Sequence, residues 1–354
     1  MSSTSSLLVV GPFPPPVHGF AVITEAQANE IQSFQRVERF DVSSNASNRI
    51  TRHLAQIWKC LLGVRAIASF GARGGRHMSL GANSRLGLVY TLLHVLTARM
   101  FGIKTRLHHH SYAYINTRSS LMALVCSCGG GGTEHVFLAK SMERSFRDRY
   151  PVEYVSHVLS NAPFVPPRQR ENLLKSSDLT VGLLSNLSPE KGLLDFLETA
   201  HLVKQAGMPV KMRLAGPAPN PVDAQAISEA VEAGVVEWMG PLYGEDKYRF
   251  FDAIDLFLFP TRYQHEAQPT VIYEAFASGV PVVAFDRGAV REQVGDCLAV
   301  VDVDESFSAK ALDVIRRQLG LSLEDRNALS DRARLIHLSE SREALRKLRS
   351  LYML

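Results

Sequence analysis

The sequence predicts an α/β protein of two doubly wound parallel sheets facing each other across a cleft. Three observations carry this. Short apolar runs alternate with amphipathic stretches along the whole chain, the rhythm of strand–helix layering. That rhythm breaks once, in Ala162–Asp178 (APFVPPRQRENLLKSSD), which is rich in proline, charge and serine and has little periodicity. Beyond the break the apolar runs are short and nearly unbroken, as in central parallel strands buried on both faces.

In the first half, strands are expected at Ser6–Val10, Val37–Val42, Lys104–His109, His135–Ala139 and Tyr154–Leu159. Helices are expected from about Phe20, over Ile50–Ser69 and over Leu86–Phe101, and Gly129–Gly132 reads as a flexible loop. In the second half, strands are expected at Leu179–Leu184, Lys211–Leu214, Val236–Met239, Leu256–Phe259, Val280–Phe285 and Leu298–Val303. Ser306–Leu319 reads as a helix, and Ser339–Leu354 as a basic amphipathic helix that ends the chain. These elements divide the sequence into a first domain at 1–165, a linker at 166–178, a second domain at 179–335 and a C-terminal helix at 336–354. That helix is expected to cross back and pack on the first domain.

Composition is that of an ordinary globular protein. There is no apolar run long enough to span a bilayer and no basic, cleavable leader at the N-terminus, so the chain reads as cytoplasmic. Cys60, Cys126, Cys128 and Cys297 match no metal or redox spacing except the tight Cys126-Ser127-Cys128, and that pair reads as two reduced core thiols. Charge is unevenly placed. Residues 1–170 hold 19 Lys and Arg against 8 Asp and Glu, and the remainder holds 20 against 27. No acid lies between Asp41 and Glu134, a span with eleven cations. A half of one sign implies an anionic partner: membrane surface, lipid-linked phosphate or nucleic acid. In Ile50–Ser69 the residues Leu54, Ile57, Trp58, Leu61 and Leu62 could form an apolar face beside Arg52 and Lys59. The plainer expectation is that this face packs on the sheet.

Three loops carry unusual residues. In Ser185–Gly192 a strand gives way to a helix, with Ser188 as N-cap and Pro189 at the first helical position. Lys191 then lies in the first turn, where the helix dipole disfavours a cation by roughly 0.3–1 kcal/mol. An anion shared between the lysine and the helix end would reverse that cost. In Pro260–Glu274 a strand ends in a turn and Pro269 again reads as the first helical position. Glu266 precedes that helix and Glu274 lies about one and a half turns inside it. The free N–H groups of Thr270 and Val271 lie between them and can donate to a phosphate, leaving the carboxylates to hold hydroxyls on either side. Two glutamates eight apart are weak evidence alone; their placement around a helix start is the stronger signal. The third loop, Arg106–Tyr112, ends a strand with His108 and His110 on one face and His109 on the other. It is open to three readings: a metal site, histidines without a role, or a polar group facing the cleft.

Together these segments resemble family 4 glycosyltransferases of the GT-B fold, which has two Rossmann-like domains. The resemblance runs over nearly the whole chain. It rests on Gly-Pro-x-Pro-Pro-Pro-x-His-Gly at Gly11–Gly19, the histidine-bearing strand end, Ser160-Asn161, Ser188–Gly192, Leu214–Pro217, and Glu266-x7-Glu274 with its Ala277–Pro281 ending. It implies that Glu274 binds the nucleotide ribose and Glu266 sits by the donor sugar, while Lys191 neutralises the diphosphate. His18 and Gly19 approach the phosphates from the first domain, and His110 faces the donor sugar. The first domain then binds acceptor and the second binds donor. The family retains anomeric configuration and needs no metal or other cofactor, the co-substrate here being UDP- or GDP-linked. The acceptor would be a lipid-linked saccharide or an oligosaccharide in bacterial polysaccharide or lipopolysaccharide synthesis. An anionic inner membrane face would attract the basic first domain, and no nucleic acid is involved.

The sequence departs from the family pattern at Asn186, where relatives carry a second diphosphate cation. Either Arg262 replaces that charge or phosphate binding is weaker. Asp302-Val303-Asp304 matches a metal-binding Asp-x-Asp, but Asp304 reads better as part of a helix N-cap. Two other activities stay open: a nucleotide-sugar epimerase of the same fold, and a non-catalytic binder of nucleotide-sugars or polyanions.

Overall fold

The computed structural model describes residues 6–15, 19–44, 48–168 and 178–353. The chain forms two compact units, 1–164 with 342–354, and 165–341. Most of the expected linker lies outside the described residues, as does His18.

The first unit runs β1 (Ser6–Gly11), α1 (Gly19–Gln32), β2 (Arg36–Asp41), α2 (Arg49–Ala72), β3 (His77–Gly81), α3 (Leu88–Met100), β4 (Lys104–His108), α4 (Ala113–Asn116), α5 (Ser120–Gly129), β5 (Thr133–Phe137), α6 (Lys140–Arg149) and β6 (Val155–Val158). All its strand pairs are parallel, in the order β2-β1-β3-β4-β5-β6. β3 was not expected from the sequence. The four glycines read as a loop instead finish α5 and form a 3-10 turn at Gly130–Gly132.

The second unit runs β7 (Leu179–Leu184), α7 (Leu193–Gln205), β8 (Val210–Ala215), α8 (Pro221–Glu232), β9 (Glu237–Trp238), α9 (Gly244–Asp252), β10 (Leu256–Phe259), α10 (Thr270–Ala277), β11 (Val282–Phe285), α11 (Val290–Val294), β12 (Ala299–Val301), α12 (Phe307–Leu319) and α13 (Leu323–Tyr352). Its strands are parallel in the order β12-β11-β10-β7-β8-β9. Leu179, Val181 and Leu183 alternate into a core shared with Phe196, Leu214, Leu256 and Leu258. The terminal helix begins sixteen residues earlier than expected, at Leu323 rather than Ser339. Its last turns belong to the first unit, where Ala344, Leu348 and Tyr352 join the core formed by Leu7, Val9, Ile31 and Val136.

Each sheet has a place where the order of winding reverses: between β1 and β3 in the first unit, and between β7 and β10 in the second. Loops leaving the carboxyl ends of strands at such a point diverge and open a crevice for ligands. The loops after β7 and β10 hold the two motifs of the second half. The loop after β1 leads to Gly19.

Candidate active site

In the second unit, the turn after β7 differs locally from expectation. Pro189–Lys191 is a short 3-10 turn with proline at its start, and Gly192 separates it from α7. Ser188 is the N-cap of that turn but makes no side-chain capping bond. Lys191 therefore stands two residues before α7 rather than inside it. Gly192 is needed there: its φ is +85°, and a Cβ would fall 2.2 Å from the Pro260 carbonyl oxygen. This close approach brings the β7 and β10 loops together, with Arg262 N donating to Glu190 O at 2.9 Å.

The consequence is an ion pair across the two loops. Lys191 Nζ donates to Glu266 Oε2 at 2.8 Å and lies 4.4 Å from the centroid of the Tyr263 ring. The Thr261 hydroxyl donates to the same oxygen at 3.3 Å. Gly288 backs the glutamate from behind, where a Cβ would lie 1.9 Å from the Glu266 carbonyl oxygen.

Pro269 is the N-cap of α10, in extended conformation, so the helix begins one residue later than expected. Thr270 and Val271 become its first two residues, whose N–H groups have no acceptor within the helix. The Pro269 carbonyl is fixed by the buried Gln293 amide at 2.9 Å. Glu274 lies just over one turn inside and is buried, at 8% exposure. Its Oε1 accepts from Lys247 Nζ at 2.6 Å, while its Oε2 is buried with no partner among the described residues. A buried carboxylate oxygen without a donor costs roughly 1–3 kcal/mol or more. A hydroxyl supplied by a ligand would remove that cost.

Lys247 escaped sequence reasoning. It sits on α9, a short amphipathic helix whose pattern gives no sign that one lysine turns inward. Arg262, one of the two alternatives for the missing cation, is paired with Asp195. Its Nε and Nη2 donate to Asp195 at 2.8 and 2.6 Å, and its guanidinium packs over Phe285 at 5.0 Å. Asn186 is exposed in the β7 loop. Among the described residues, the cations that pair with the two glutamates are Lys191 and Lys247. Asp302 pairs with Arg291, and the N-cap of α12 is Ser306, whose hydroxyl accepts from Ala309 N. Asp304 lies two residues before that cap. Among the described residues, no group of three or more His, Cys, Asp or Glu could hold a metal ion.

In the first unit, the three histidines separate by environment. His109 is fully buried, with Nδ1 2.9 Å from the Tyr114 hydroxyl and Nε2 2.9 Å from His135 Nδ1. His108 is buried on the other face, its Nε2 2.6 Å from the Tyr352 hydroxyl. Only His110 is partly exposed; its ring lies 4.4 Å from that of Phe20 and 6.1 Å from His108. Burial lowers all three pKa values, that of His110 to about 4, so each ring is neutral at pH 7. Gly19 is the first residue of α1, and among the described residues no atom beyond its own helical turn lies within 4 Å of where its Cβ would be.

Residues 178–317 match the family model described as "Glycosyl transferases group 1". No curated protein matches the sequence. Among solved structures, sucrose-phosphate synthase from Thermosynechococcus elongatus is similar at TM-score 0.73 and 13% identity, over 99% of this chain and 98% of that one. The Anabaena protein Alr3699/HepE in complex with UDP is similar at TM-score 0.70 and 15% identity, over 99% and 100%. WaaG, a glycosyltransferase involved in lipopolysaccharide biosynthesis, is similar at TM-score 0.61 and 16% identity, over 93% and 94%.

Proposed function

We propose, from the GT-B fold of the chain and the group 1 glycosyltransferase match in its second unit, that the protein transfers a sugar, with retention and without a metal, from a UDP- or GDP-sugar to a lipid-linked saccharide acceptor, in synthesis of a bacterial polysaccharide or lipopolysaccharide. The observation that carries the reading is the pairing of Lys191 with Glu266 and of Lys247 with Glu274, on either side of the α10 N-terminus.

These four side chains sum to zero charge, so a diphosphate is met chiefly by the N–H groups of Thr270 and Val271 and by lysines that can turn towards it. The free Oε2 of Glu274 accepts a ribose hydroxyl, and Glu266 accepts from the donor sugar. In the transfer, the bond from the sugar C1 to the diphosphate oxygen breaks and a bond from C1 to the acceptor oxygen forms. The acceptor proton leaves to the departing diphosphate, whose charge Lys191 stabilises. From the sequence pattern, neutral His110 and Gly19 are assigned to the donor. His18 is assigned with them from the sequence pattern alone.

The acceptor reading draws on α2. Leu54, Ile57, Trp58 and Leu61 are 62, 48, 62 and 55% exposed and form one stripe at helical spacing, so they do not pack on the sheet. Exposed Arg52 and Arg65 lie before and after the stripe on the same helix. An apolar stripe edged by cations suits the interface of an anionic bilayer. Among the described residues no helix is long and apolar enough to cross one.

Single-turnover incubation with donor, with and without acceptor and in excess EDTA, tests the activity. Acceptor-dependent release of nucleoside diphosphate that survives EDTA is expected. A new sugar isomer without acceptor would indicate an epimerase, and neither product would indicate a binder. Flotation with anionic liposomes tests the surface: Trp58→Glu should abolish it, and flotation indifferent to anionic lipid would remove the membrane from the proposal.

A further inference from the structure

The last turns of α13 cover a cavity of about 390 Å³ against β4, β5 and β6 of the first unit. Its wall includes Arg106, Glu134 and His157 from the strands, with Lys347 and Ser350 from the helix. None of these belongs to the site described above.

Arg106 is an unusual residue for the middle of a central strand. It is 4% exposed, and its guanidinium carbon lies 4.8 Å from the centroid of the Tyr352 ring. Its Nε donates to Glu134 Oε2 at 3.2 Å. Neither terminal nitrogen has an acceptor among the described residues, and Nη1 is fully buried. Arginine stays charged at any accessible pH, so this side chain cannot relieve the mismatch by losing a proton.

The local charge is also unmatched. Glu134 Oε1 is 2.5 Å from Lys104 Nζ, and its Oε2 is 3.5 Å from His157 Nε2. One carboxylate thus faces two permanent cations, Lys104 and Arg106. The His157 Nε2 atom is itself buried without a hydrogen-bond partner. Lys347, at the rim, holds only Glu343, its neighbour one turn back, at 2.6 Å. It is exposed and free to swing.

We propose that this cavity binds a small oxyanion of the phosphate class. A guanidinium N–H donates to a phosphate oxygen in a charge-assisted hydrogen bond. Binding supplies acceptors for a buried arginine that otherwise lacks them and offsets the surplus positive charge. Lys347 can bring a second cation, which favours phosphate over a carboxylate. Ser350 adds a hydroxyl at the mouth. The site is independent of the proposed transferase activity.

The test is isothermal titration of the full chain with inorganic phosphate in a chloride buffer, on a Lys191→Ala background so that the α10 region contributes least. We expect saturable one-site binding in the millimolar range or tighter, weakened at least about tenfold by Arg106→Gln and by Lys347→Glu, and weaker binding of acetate. Lys347 is exposed, so its variant decides the matter should the Arg106 variant fail to fold. No saturation below about 10 mM, an affinity untouched by either substitution, or acetate as tight as phosphate would each overturn the proposal.

Discussion

The two units share a plan and differ in how they keep polar groups inside. Each is a six-stranded parallel sheet with a winding reversal, and each places polar residues in loops beyond the strand ends. In the second unit those groups are charged and held by partners: Lys191 by Glu266, Lys247 by Glu274, Arg262 by Asp195. In the first unit the corresponding groups are imidazoles kept neutral by burial, with His109 between Tyr114 and His135. Pairing fixes a charge where it is needed and leaves it available to an anion. Burial fixes a ring without a charge. The same architecture can therefore carry two different electrostatic duties, one in each unit.

The difference can be broken most sharply by removing a charge. Glu274→Ala and Lys191→Ala are each expected to lower turnover at least about 10²-fold, the usual cost of one preorganised charge contact. Lys247→Ala should raise the donor KM about tenfold with a smaller effect on kcat, because it holds Glu274 and does not meet the bond that breaks. Steady-state kinetics on the three variants measures both. Wild-type turnover in the first two would show that the paired charges are a surface network only.

Acid should strike the two units unequally. His109 and His135 have folded-state pKa values below the ordinary 6.5, that of His135 at about 4, because burial penalises the imidazolium. Between pH 6.5 and about 4 the unfolded chain then binds more protons than the folded one, so stability falls as pH falls through that window. For His135 alone the loss reaches about 3 kcal/mol by pH 4, since each pH unit crossed in the window costs about 1.4 kcal/mol. Hydrogen exchange of β4 and β5 amides should accelerate through this window before that of β7 and β10 does. Equal acceleration in both sheets would show that burial of the histidines does not set acid stability.

The same contrast explains which parts were legible. In the second unit all six strands follow the apolar runs, because Leu179–Leu184 or Leu256–Phe259 have no polar task to perform. In the first unit β3 escaped notice. Its residues, His77–Gly81, include only Met78 and Leu80 as strong apolar signals, and Ser79 is buried because it accepts from the Tyr352 hydroxyl. A polar duty inside a central strand removes the very pattern that announces it. The Glu266 and Glu274 spacing and the histidine run were visible as sequence. Their partners were not: Lys247 lies 27 residues before Glu274, and Tyr352 lies 244 residues from His108. Such contacts are made by the path of the chain, which local periodicity does not record. The exposure of Leu54, Ile57, Trp58 and Leu61 escaped for a related reason, since an apolar helical face looks the same whether or not something covers it.

The smallest expected effect tests whether neutral groups held by burial also depend on partners. The Tyr352 hydroxyl lies between His108 Nε2 at 2.6 Å and Ser79 Oγ at 3.1 Å, in a pocket closed to solvent. Tyr352→Phe keeps the ring beneath Arg106 and removes only the oxygen, leaving Ser79 Oγ short of its donor and His108 Nε2 with only Gln27 Nε2 at 3.4 Å. A loss of about 1–3 kcal/mol in unfolding free energy is expected from denaturant titration. His108 stacks on His110, so the loss should come with a lower kcat and an almost unchanged donor KM. Should Tyr352→Phe cost stability and leave kcat alone, the terminal helix would serve the fold of the first unit and not the placement of its histidines. If it lowers kcat, a residue near the end of the chain positions a ring at the reacting sugar, and burial in this unit does through one phenol what Glu266 does for Lys191 in the other.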